Sequence, residues 1–202
     1  NIYSKICRMK GLLAFIAFTI LIPFFGTSEA NAALKNETLH YTITYKWGLI
    51  HKDAAKATLK LTNVGNQYRM LLTARTLPWA DRIFEVRDTL RSTAIRDGFT
   101  VTGYEKTTHE GGRYARDIIK FLKSGNHVSA TTTCVREGKD GKISRESKSL
   151  SGTAPAFDML SVFYYIRLLD FNHMTANKPY KFTIFSGKKS ETLTIKKVGV
   201  EN

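Results

Sequence analysis

The chain has 202 residues, of which 43% are apolar, 24% charged and 11% aromatic, with 14 Gly and 4 Pro. That balance excludes a collagenous, a disordered or a multi-span membrane protein and predicts one globular chain with a hydrophobic core. A formal net charge of +14 makes acidic partners the first functional question.

The N-terminal segment reads as an export signal. Lys5, Arg8 and Lys10 supply positive charge, Gly11 to Phe25 is apolar and uncharged, and Ala30 and Ala32 fit the small-residue pattern that a signal peptidase reads. This predicts a signal peptide over 1–32, cleaved after Ala32, and a single β-rich exported domain over 33–202. The apolar stretch, interrupted by Pro23, is shorter than the roughly 20 residues of a spanning helix, so no stable transmembrane span is expected after processing. An uncleaved anchor is the alternative. Met9-Lys10 looks like a natural start, so the first eight residues read as upstream translation or a fragment edge.

Cys7 would leave with the signal, and Cys134, alone in a threonine-rich strand, reads as a small buried hydrophobe. Removing Lys5, Arg8, Lys10 and Glu29 from 31 basic and 17 acidic residues leaves a mature net charge of +12. In a periplasmic or cell-envelope location the expected partners of that charge are lipids, anionic glycans or envelope proteins; nucleic acid is not expected. A solvated basic surface that aids solubility is the plainer alternative.

From residue 38 onward the pattern is that of strands. Leu39, Tyr41, Ile43, Tyr45 and Trp47 alternate with His40, Thr42, Thr44 and Lys46, the period of two of a strand with one buried face. Comparable runs follow at 57–61, 68–74, 84–90, 99–101, 118–121, 128–135, 143–150, 182–184 and 193–198. Turn residues separate them at Gly65-Asn66, Asp97-Gly98, Gly111-Gly112, Gly125-Asn126, Asp140-Gly141 and Ser186-Gly187. Leu77 to Asp81 predicts one helical turn. Phe157 to Leu169 predicts a buried helix of three turns capped by Asp158, with a strand as the alternative. The expected architecture is therefore mainly β: a strongly curved antiparallel sheet or open barrel that wraps one buried helix, with the signal helix outside the fold.

No catalytic signature stands out. The five His are scattered, His109-Glu110 runs into a Gly-Gly turn instead of a zincin helix, and no nucleophile elbow or phosphate loop is present, so no metal, cofactor or catalytic residue is assigned. Ser161, inside the greasy segment, reads as bonded back to the preceding turn. Arg167 in that segment needs a partner. An ion pair with Asp170, Asp88 or Asp117 is the preferred explanation, and anchoring of an anionic ligand head is the other. With Tyr164, Tyr41, Tyr45, Trp47 and Trp79, Arg167 makes up the candidate ligand-binding set, although aromatics at strand and helix periodicity are core residues by default.

The first strand, the Phe84-Glu85-Val86-Arg87-Asp88 segment, the stretch from Tyr104 to Tyr114 and above all Asp158-Met159-Leu160-Ser161-Val162-Phe163-Tyr164-Tyr165-Ile166-Arg167 resemble an exported bacterial family, domain of unknown function 3108. Asp158, Leu160, Ser161, Tyr164 and Arg167 coincide with its most specific motif. The resemblance spans about residues 36 to 198 and implies a signal-bearing, mainly β protein; it carries over no catalytic residue. Family members run somewhat further, which predicts that a last hairpin is missing at the C-terminus.

Three functions compete. The first is non-catalytic binding of a lipid or amphipathic anionic ligand in a concave cleft of the sheet. The second is an envelope structural or interaction protein with a dry core, and the third an enzyme acting on envelope glycans or lipids through a pair of carboxylates assembled across strands. Whether the space between sheet and helix is open or filled separates the first two.

Overall fold

Alternating sequence resolves into strands that pair in chain order. The computed structural model describes residues 33–47, 50–138 and 140–198, so the expected signal segment lies outside the described residues. Strands β1 (Glu37–Trp47), β2 (Ile50–Val64), β3 (Gln67–Thr76), β4 (Val86–Ile95), β5 (Thr100–Glu110), β6 (Arg113–Ser124), β7 (His127–Glu137) and β8 (Ile143–Thr153) form one eight-stranded antiparallel sheet. Spatial order equals sequence order, β1 and β8 are the two edges, and the sheet is not a closed barrel.

The connections are short because their residues accept the required backbone. Gly111, at φ +55° in the β5–β6 turn, sits under the Phe84 ring, where a Cβ would come within 2.6 Å of the ring; only glycine meets both demands. Between β3 and β4 the predicted helical turn is present as α1 (Pro78–Asp81), opened by Pro at its first position.

Register decides which side chains share a face, since residues paired across antiparallel strands point the same way. One continuous row runs Leu39, Leu59, Leu72, Leu90, and the next runs Leu61, Met70, Ser92, Tyr104, Ile119, Thr132. These rows form the core face. Two bulges, at Ile43/Thr44 and Thr93/Ala94, shift the register and raise the local twist.

A second, smaller layer packs on that face. It comprises β9 (Ala156–Phe157), α2 (Ser161–Ile166), β10 (Tyr180–Ser186) and β11 (Lys189–Ile195), with β9 parallel and β11 antiparallel to β10. Phe157, Leu160, Val162, Tyr164 and Phe185 join Leu59, Leu61, Met70 and Ile119 in one hydrophobic cluster. A chain of rings, Tyr68–Phe99–Tyr165–Phe157–Phe182, runs through it with successive centroids 4.3 to 6.0 Å apart.

Two expectations need correction. The three-turn helix over 157–169 is in fact α2, six residues long; Phe157 belongs to β9, and the backbone tightens after Ile166 into turns bonded Leu168 to Tyr165 and Leu169 to Ile166. The strands also do not form a single sheet: the last two, with β9, make a separate three-stranded one.

Candidate functional site

The Asp158 to Arg167 motif resolves into a cap, a packing face and an ion pair. Asp158 is fully buried, and its carboxylate accepts four hydrogen bonds. Oδ1 takes the backbone N–H groups of Leu160 at 2.8 Å and Ser161 at 2.9 Å; Oδ2 takes the hydroxyls of Ser92 at 2.6 Å and Ser161 at 2.8 Å. The Asp158 N–H in turn donates to Ser161 Oγ at 3.0 Å, so the pair forms a reciprocal N-terminal cap. Ser92 lies on β4, so the same carboxylate ties the helix start to the sheet. Burial pushes the Asp158 carboxyl up, while the hydrogen bonds from Ser92, Ser161 and Leu160 pull it down. Ser161 is therefore fixed by Asp158, in line with its expected bond back into the preceding turn. Leu160 is a core residue.

At the other end of α2, Arg167 finds a carboxylate that spacing did not indicate. Its guanidinium pairs with Glu37 on β1, 130 residues away, through both nitrogens, one of them at 2.9 Å. None of the three carboxylates expected from the sequence is that partner. Tyr164 is fully buried beneath it, with the guanidinium 5.5 Å from its ring centre, and its hydroxyl has no partner among the described residues. Tyr41, four residues along β1 from Glu37, lies in the field of both charges, and burial pushes its phenol up. Tyr41, Tyr164 and Arg167 thus come together. Tyr45 and Trp79 do not join them: Tyr45 is exposed, and Trp79 on α1 donates its indole N–H to the Asp53 carbonyl at 2.7 Å under the Lys52 ammonium. Trp47 ends β1, and its side chain lies outside the described residues.

Beside the apolar cluster the core face turns polar. Asp88 is pushed up to about 7, first by burial and then by the negative charge of Glu110. Further along, Arg136 bridges Asp117 at 2.6 Å, and Lys188 from the β10–β11 turn reaches Glu146 at 2.6 Å. Cys134 is buried there, and burial pushes its thiol up, as fits an inert core cysteine. Among the described residues no group of three His, Cys, Asp or Glu side chains could hold a metal ion.

The opposite, outer face of the sheet was not singled out by the sequence. Register places on it Lys56 and Lys60 of β2, Arg69 and Arg75 of β3, Arg87 and Arg91 of β4, Arg116 and Lys120 of β6, and Arg145 of β8. Its carboxylates are Asp53, Glu105 and Glu137. Arg87 is held by Asp81, with 2.7 and 2.9 Å bonds, and Arg91 and Arg116 share Glu105. Lys56, Lys60, Arg69, Arg75, Lys120 and Arg145 have no ion-pair partner among the described residues. A groove of about 760 Å³ crosses this face at β1 to β5, lined chiefly by Thr58, Thr73, Thr89 and Thr107 with Lys56, Arg75, Arg87 and His109. The legible signal was parity: within β2, β3 and β4 the cations alternate with the core apolar residues, as in Ala55-Lys56-Ala57 and Leu59-Lys60-Leu61.

The model of a protein family described as "Protein of unknown function (DUF3108)" matches residues 40–202, and the chain belongs to that family. No curated protein and no solved structure matches it.

Proposed function

We propose that this member of the DUF3108 family is an exported, non-catalytic cell-envelope interaction protein with a dry core, whose basic sheet face meets an acidic partner. The observation that carries this reading is the unequal use of the two faces. α2 and the small sheet pack on the core face in one hydrophobic cluster, and the recess beside Phe99 and Phe157 is about 30 Å³, room for a water or two and not for an acyl chain. The outer face, by contrast, carries the six unpaired cations. Unneutralised like charge on one surface opposes itself, and an anionic partner relieves that repulsion.

A lipid in the cleft of the sheet keeps one support, the gathering of Tyr41, Tyr164 and Arg167. Arg167 already holds Glu37 there, however, and a carboxylate in that position competes with an anionic head group.

Native mass spectrometry of protein purified from the envelope fraction, followed by solvent extraction, tests the choice. The dry-core reading predicts the mass of the processed chain alone and no stoichiometric lipid. One lipid per chain would restore the cleft reading, and recovery of the protein in the cytoplasmic fraction after osmotic shock would remove export.

A further inference from the structure

We propose that the outer-face groove is a binding site for an acidic polysaccharide, laid across β1 to β5 with its carboxylate or phosphate groups on Lys56 and Arg75. This rests on the basic face being the working surface and goes further by naming the place on it and the ligand class.

The groove is built from two aligned rows. His40, Thr58, Thr73, Thr89 and Thr107 occupy one register line over five adjacent strands. Strands lie roughly 4.8 Å apart, so the line offers a hydroxyl at intervals close to the length of one sugar ring. Two residues along each strand, roughly 6.8 Å away, runs a parallel line of Lys56, Arg75, Arg87 and His109. Arg87 is committed to Asp81, and His109 stacks on Tyr114 at 5.0 Å. Lys56 and Arg75 remain, exposed and side by side across the β2–β3 pair. The Thr73 and Thr89 hydroxyls have no protein partner among the described residues. The one carboxylate residue of the lining, Asp88, belongs by register to the core face, and the carboxylates beside the lining, Asp81 and Glu105, are already held by Arg87 and by Arg91 and Arg116.

Chemistry selects the occupant. Single-stranded nucleic acid is held by aromatic platforms for its bases; the one tyrosine of the lining, Tyr41, belongs to the core face, and of its two imidazoles His109 is already against Tyr114 and His40 is in hydrogen-bond contact with Thr58. A bilayer presents a broad plane of head groups, which cannot enter a recess. A chain of hydroxylated rings with regular negative charge fits a recess of hydroxyls and methyls flanked by cations.

The test titrates the purified full-length protein with an octagalacturonate, alongside malto-octaose, a thymidine octanucleotide and phosphatidylglycerol vesicles, at two salt concentrations. Saturable binding of the octagalacturonate is expected, at least tenfold tighter than each of the other three. The double variant K56E/R75E should weaken it tenfold or more, K56Q/R75Q should lower the log–log salt slope by about two, and T73V/T89V should weaken binding severalfold with the slope unchanged. Circular dichroism melts identify folded variants, and the neutral pair K56Q/R75Q serves if charge reversal unfolds the chain. If K60E/K120E, on the same face outside the groove, weakens binding as much as K56E/R75E, the groove proposal fails while the basic-face reading stands. If K181E/K189E, on β10 and β11, does so too, or no polyanion binds, both fail. Tighter binding of the oligonucleotide or of the vesicles overturns the glycan assignment.

Discussion

A carboxylate without solvent is costly unless its oxygens are saturated. Asp158 meets that condition with two backbone and two hydroxyl donors, and the arrangement makes a specific prediction. Asp158→Ala strands two N–H groups and the Ser92 hydroxyl in the core and should cost about 3 kcal/mol in a denaturant melt. Asp158→Asn keeps the oxygen that accepts the backbone groups, and the hydroxyls can turn to accept from its amide, so it should cost less than half as much. Equal losses would show that the cap is not what holds α2 in place. Asp88 behaves in the opposite sense. Its carboxyl titrates near 7 in the folded chain and near 3.8 when unfolded, so the folded state binds the extra proton between those values, and stability falls as pH rises through that window. Asp88→Asn should therefore raise stability at pH 8 by roughly 1–2 kcal/mol, after allowance for partial solvent screening, and flatten the profile from pH 4 to 7. An unchanged slope in urea melts would contradict the assignment.

At the scale of elements, contact between the two sheets rests on an absent side chain. A Cβ on Gly152 of β8 would come within 2.5 Å of the Thr183 methyl of β10, whose hydroxyl donates to the Thr153 carbonyl at 2.8 Å. Gly152→Val should cost about 1–3 kcal/mol by forcing β10 outward, and amide exchange should quicken first in β10 and β11. Uniform quickening through the large sheet would contradict this division. Most of the strands were legible because their core residues are apolar on alternate positions. The long second half of β5 was not, since its core-facing positions are Tyr104, Lys106, Thr108 and Glu110, a set whose alternation carries little hydropathy contrast. The helix was read as too long because Phe157 and Leu168-Leu169 suit a helical apolar stripe, while long-range pairing claims Phe157 for β9 and propensity yields to it. The parallel β9–β10 contact and the Glu37–Arg167 pair join residues far apart in sequence, and local periodicity contains no information on either.

For the whole molecule, the distribution of charge matters more than its sum. Lys and Arg are scattered along the sequence with few runs, which invites the view of a merely soluble surface. Pairing in register gathers them, because on strands of period two each cation beside a core apolar residue must point outward. The threonine line has the same origin: Thr58, Thr73, Thr89 and Thr107 are far apart in the chain and adjacent only once the hairpin lengths are known. The fold thus holds an apolar cluster on one side and, on the other, a basic surface on which six cations have no ion-pair partner among the described residues.

Mapping backbone amide shifts by NMR during titration with an octagalacturonate addresses this division directly. The account predicts perturbations confined to β2 to β5 around Lys56, Thr73, Arg75 and Thr89, with the amides of Phe157 to Arg167 unmoved. Shifts centred on Tyr41, Tyr164 and Arg167, with the outer rows silent, would contradict it.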